Sequence, residues 1–183
     1  MITRSQTRHS LLFVIVSVSC LVAESTVPFD SPSQRHSTNL HSQTFVCNLG
    51  YTPIECHKQS QILQKAVHQY HAEDLGSWTW ILVRAEDWKD LMKRLHLNPE
   101  SPAFTAIDLR ETVLEESLIT PRPERAKELM DEFRTPLDQL LSLAVTHELG
   151  HVICNCGTEY LAEKFGEQLR AGSRPRYLES IHE

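Results

Sequence analysis

THELGHVICNCGTEYLAEKF, Thr146–Phe165, carries two histidines four residues apart, with a glutamate directly after the first. On an α-helix that spacing is about one turn, so His147 and His151 project from one face and can grip a single zinc ion with nitrogens about 2.0 Å from it. Glu148 sits about 100° round the helix from His147, too far to be the natural third ligand. It can still reach a water on the metal, which is the place of a general base. The apolar lead-in LLSLAV, residues 140–145, buries the helix and sets the histidines at a cleft wall, and Gly150 leaves room for another element to come close.

A catalytic zinc site needs three protein ligands and one open position. The helix, beginning at Leu137, is expected to run to about Cys154. Residues 155–157 then supply a turn, with Gly157 suited to a left-handed backbone and Thr158 placed as the N-cap of a helix from Glu159. Glu159 and Glu163 share a face of that second helix, and a helix folding back would offer this face to the metal. Glu159 is expected as the third ligand and Glu163 as the acceptor that orients a ligand histidine, with Glu163 as ligand the alternative. Thiolates of Cys154 or Cys156 are also zinc ligands by type, but a three-ligand site is complete without them.

Upstream, TPRPERAKELMDEFRTP is a proline-bracketed segment with a short helix expected from Glu124 to Phe133. AFTAIDL and TVLEESLI read as two strands in hairpin-like succession. SWTWILV after Gly76 reads as a strand with Trp78 and Trp80 in the core, and AEDWKDLMKRLHL as a helix with Trp88, Leu91, Met92 and Leu95 at helical spacing. An amphipathic helix is expected from Gln59 to Glu73, with Ile62, Leu63, Ala66, Val67 and Tyr70 at helical intervals. His57, His68 and His71 read as solvated residues, as do His36 and His41.

The first residues have Arg4 and Arg8, an apolar run from Leu11, and small residues at Ser19 and Ala23, the layout of a secretory signal over residues 1–23. Leu11 to Ala23 is thirteen residues, whereas a spanning helix needs about twenty, so no stable membrane span is expected. Export is expected, to a secreted or periplasmic location, with a form anchored by the signal or by lipid on Cys20 as the variant. Residues 24–44, rich in Ser, Thr, Pro and His, read as a disordered tether. The folded domain is expected over 45–170 and a tail over 171–183. A formal charge of −6 without a basic run excludes nucleic acid as an expected partner.

Removal of the signal leaves Cys47, Cys56, Cys154 and Cys156, an even set that suggests disulfides in an exported chain. Cys47 with Cys56 is the easiest pair to draw. Cys154 and Cys156 read as too close for a relaxed mutual bridge.

HELGH within LSLAVTHELGHVIC, followed by EYLAEKFGEQL, resembles the gluzincin group of zinc metallopeptidases, and more narrowly the small IrrE/ImmA-type peptidase domains called minigluzincins. The resemblance covers Leu141 to Leu169 specifically and Ala103 to Ile119 more weakly. It implies an α+β zincin-like domain with a small mixed sheet, zinc, and endopeptidase action on a peptide or protein substrate. It also implies His147, His151 and Glu159 as ligands beside the base Glu148. Tyr160, Tyr177 and His182 are eligible by type to steady the oxyanion. The alternative from another class is an exported zinc-binding interaction module without catalysis, and a third reading is an exported helical domain without metal. A purely structural zinc site, closed by four ligands, has no use for a base beside the ion.

Overall fold

The computed structural model describes residues 43–48 and 50–173. The expected signal, most of the tether and the end of the tail lie outside the described residues, as do Cys20, His36, His41, Tyr177 and His182.

The described chain is α+β: a four-stranded mixed sheet and five α-helices. Strand β1 (Gln43–Cys47) leads through α1 (Pro53–His68) to β2 (Trp78–Val83) and α2 (Ala85–Arg94). Strands β3 (Ala103–Ala106) and β4 (Glu111–Glu115) follow, then α3 (Pro123–Phe133), α4 (Leu137–Cys154) and α5 (Glu159–Arg170). The spatial strand order is β1-β2-β4-β3, with β1, β2 and β4 parallel and β3 antiparallel on the edge.

The sheet is covered on both faces, which explains why β2 reads as a continuous apolar run rather than an alternation. Trp78, Trp80 and Leu82 point to one face with Leu114, where they pack with Leu63 and Val67 of α1, Val145 and Leu149 of α4, and Leu169 of α5. Val83 and Val113 point to the other, against Trp88 and Met92 of α2. Successive residues of a strand face opposite ways, so this division follows from the period of two. Trp78 and Trp80 are core residues, as expected.

Some boundaries differ from the sequence reading. Helix α1 starts at Pro53 rather than Gln59 because Thr52 closes a capping box: its backbone N–H donates to Glu55 Oε2 at 2.9 Å, and Glu55 N–H donates to Thr52 Oγ1 at 3.3 Å. The helix ends at His68, before a left-handed His71 (φ +57°) and a 3-10 turn over Ala72–Leu75. The hairpin-like pair is present, but its strands are shorter than AFTAIDL and TVLEESLI because 3-10 turns occupy Ile107–Leu109 and Glu116–Leu118. Strand β1 begins at Gln43, two residues inside the stretch read as tether, held by parallel pairing of Gln43–Cys47 with Trp78–Leu82.

One buried ion pair ties α3 to the sheet. Arg125 donates from Nε and Nη2 to Glu115 at 2.9–3.2 Å, and from Nη2 to the Glu100 carbonyl at 2.9 Å. Arg125 and Glu115 are both buried, and Glu115 ends β4. The interaction fixes α3, and with it the turn into α4.

Candidate metal centre

Helix α4 runs from Leu137 to Cys154, and Pro136 precedes it in an extended conformation. Its middle is buried almost all round, from Ala144 to Ile153 apart from His147, which is half-buried. Asn155, not the expected Gly157, takes the left-handed conformation (φ +45°) that ends the helix. Thr158 stands at the N-cap position of α5 but makes no side-chain capping bond.

Helix α5 folds back along α4 at very short range. A Cβ on Gly150 would lie 2.0 Å from the carbonyl oxygen of Ala162, so only glycine permits this approach. The closeness brings Glu159 to the histidine pair. Its Oε2 lies 3.0 Å from His147 Nε2 and its Oε1 lies 3.4 Å from His151 Nε2.

The other nitrogen of each imidazole is already committed. His147 Nδ1 lies 3.0 Å from Glu163 Oε2, and His151 Nδ1 lies 2.9 Å from the Cys156 carbonyl oxygen. A carboxylate and a carbonyl only accept, so both Nδ1 atoms carry the proton and donate. A neutral imidazole so held has its bare lone pair on Nε2, the atom turned toward Glu159, which is how ligand histidines are oriented at metal sites. The three residues offer ligand atoms within 4.8 Å of one another, and this group can hold a metal ion.

The electrostatics agree with a site built for positive charge. Burial alone would lower the His147 pKa, but hydrogen bonds to Glu159 and Glu163 outweigh it and raise the value to about 10. His151 is raised in the same way, with Glu159 as the main counterweight to burial. Burial would raise Glu159, but the two histidines hold it at about 2. Protons on the imidazoles occupy the place a cation would take.

Glu148 is 4 % exposed and its Oε2 is buried without a hydrogen-bond partner. Burial pushes its carboxyl above the ordinary glutamate range, opposed by the charges of His147 and His151. An orphaned carboxylate oxygen beside a His-His-Glu donor set fits a site that acts on a water molecule. A cavity of about 450 Å³ adjoins it, lined by Ala103, Leu118, Phe133, Leu140, Leu143 and Ala144 together with His147, Glu148 and Glu163.

Cys154 and Cys156 are disulfide-bonded to each other, contrary to the sequence reading, and Cys47 pairs with Cys56 as drawn. The left-handed Asn155 between them folds the chain back so that the two alpha carbons lie 5.1 Å apart, inside the range a disulfide spans. Their sulfurs are thereby occupied, and neither belongs to the metal-binding group. Tyr160 is 74 % exposed, while His57, His68 and His71 are exposed as expected. Sequence reasoning missed Arg170, which meets Glu163 only once the helix is formed.

Comparison with protein families, with curated proteins and with solved structures finds no match to this chain.

Proposed function

We propose that this chain is a zinc metallopeptidase of the gluzincin kind with a zincin-like domain, holding zinc through His147, His151 and Glu159. The observation that carries the reading is the convergence of one Glu159 carboxylate on both Nε2 atoms while Glu148 Oε2 lies buried and unpartnered nearby. Zinc in that position would act as a Lewis acid, making a water acidic near neutral pH and polarising the scissile carbonyl.

The chain's own residues do the rest. Glu148 Oε2 takes the proton from the attacking water as its oxygen bonds to the carbonyl carbon. The same carboxyl then delivers that proton to the departing nitrogen as the C–N bond breaks, giving a carboxylic acid and an amine. Burial moves its pKa upward, the direction that makes a carboxylate a better proton acceptor. Glu163 and the Cys156 carbonyl keep the imidazoles in the required tautomer.

Two features support a peptide as substrate. Among the described residues strand β3 is paired only with β4, so its second edge offers backbone groups to an extended chain. The cavity beside Glu148, lined by apolar residues and by Ser101, Glu132 and Thr135, has room for a side chain of that peptide. The two disulfides support export, since such bonds persist in oxidising compartments. Among the described residues no helix is long and apolar enough to cross a membrane.

Glu148→Gln tests the mechanism. It should keep zinc at one equivalent and lose at least about a hundredfold in peptide hydrolysis, the contribution typical of a general base. Unchanged hydrolysis with zinc bound refutes the role of Glu148. Zinc binding by a parent chain inactive on unstructured proteins would instead favour the interaction module.

A further inference from the structure

We infer that Arg170 is a positioning residue for the metal centre: it locks the Glu163 carboxylate in the orientation that fixes His147, so that zinc affinity depends on an arginine that is not itself a ligand. This rests on the reading of His147, His151 and Glu159 as zinc ligands.

Glu163 has a side chain 42 % exposed, and an exposed glutamate on a helix moves among several staggered rotamers. The one it adopts puts Oε2 3.0 Å from His147 Nδ1. Something must select it. Arg170 lies seven residues further along α5, two turns on and on the same face, and its side chain runs back along the helix. Its Nη2 donates to Glu163 Oε1 at 2.5 Å, the oxygen that His147 does not use. Both carboxylate oxygens are thus held, and rotation about the last side-chain bond is stopped.

Arg170 is itself anchored from the other helix. Its Nη1 donates to Thr146 Oγ1 at 2.6 Å, while the Thr146 hydroxyl donates to the Ser142 carbonyl at 2.8 Å or the Leu143 carbonyl at 3.0 Å. The guanidinium is a planar fork with fixed donor directions, so pinning one prong on α4 aims the other at Glu163. Gly166 eases the passage. A Cβ there would lie 3.2 Å from Arg170 Nη1 and 3.0 Å from the Thr146 carbonyl oxygen. Glu163, Gly166 and Arg170 therefore act with Thr146 as one device, and Thr146 directly precedes His147 in the chain.

Charge and geometry predict opposite signs for the loss of Arg170. A cation near a dication site repels the metal, so charge alone would make Arg170→Met bind zinc more tightly. Release of Glu163 and His147 would make it bind more weakly.

The test is zinc titration of the metal-depleted full chain against a chromophoric chelator, with the visible spectrum of the cobalt(II)-loaded protein as a second readout. Arg170→Met should weaken zinc binding about tenfold, at the lower end of the 10–100-fold cost of losing groups that orient ligand histidines. It should also alter the cobalt spectrum, whereas Lys164→Met, on the exposed side of α5, should do neither. Arg170→Lys keeps the charge and one donor and should recover affinity to within about threefold of the parent. In a Glu163→Ala background, Arg170→Met should change affinity less than about twofold, because Arg170 then has no carboxylate to hold. Unchanged or tighter zinc binding by Arg170→Met overturns the inference, as does an equal tenfold loss in both backgrounds. A parent chain that binds no zinc overturns the metal centre itself, and the inference with it.

Discussion

Gly150→Ala sets two well-known effects against each other, and the structure says which wins. In an exposed helix interior the change from glycine to alanine stabilises by about 1 kcal/mol. Gly150 is buried against α5, where the new Cβ would sit 2.0 Å from the Ala162 carbonyl oxygen, and ordinary contact begins at 3.4 Å. The helices must therefore part by up to 3.4 − 2.0 = 1.4 Å, and the atom in the way is backbone, which cannot rotate aside. Overpacking of this kind costs about 1–3 kcal/mol, enough to cancel the propensity gain and leave a net loss of up to about 2 kcal/mol. The displacement also carries Glu159 away from His147 and His151. Functional geometry tolerates only about 0.5 Å, so zinc affinity should fall at least about tenfold. Thermal unfolding of the metal-depleted protein and zinc titration by competition read the two effects separately. Gly166→Ala, with its nearest backbone contact at 3.0 Å, needs a shift of only a few tenths of an ångström and should be milder on both readouts. A Gly150→Ala protein that melts at or above the parent temperature and binds zinc equally well would refute the close approach of α4 and α5.

Zinc affinity should rise with pH up to about 10, by up to about tenfold per unit for each proton displaced, because the proton on His147 must leave first. Calorimetry in buffers of different ionisation enthalpy would detect the released proton, and zinc binding that releases none would contradict this charge state. In the metal-free protein the raised His147 pKa contributes stability that is fully present below about 6.5 and lost as pH climbs through about 10, which denaturant melts across that window should show. Arg125→Met leaves the buried Glu115 carboxylate without its guanidinium and should cost about 3–5 kcal/mol in equilibrium unfolding; a loss below about 1 kcal/mol would contradict the burial of that pair.

Much of α4 was legible in the sequence because its information is local. Its limits at Leu137 and Cys154, the shared face of His147 and His151, and the flanking position of Glu148 all follow from the pitch of one helix. The helix after the tryptophan-rich strand was legible for the same reason, and the strand itself from its short aromatic and β-branched run after Gly76. Strand β1 was not, because QTFVC has no strong pattern of its own and becomes a strand only by pairing with β2, more than thirty residues away.

The sequence by itself determined which residues have the chemistry and which of them share a turn of helix. Tertiary structure alone decided that Glu159 meets both Nε2 atoms, that Glu163 takes the remaining nitrogen of His147 and hands its other oxygen to Arg170, and that Cys154 bonds Cys156. The physical reason is that spacing along the chain fixes angles within one helix, whereas the separation of two helices is fixed by the atoms that meet between them. Here those atoms are a glycine with no side chain and the carbonyl of Ala162 pressed into the space it leaves.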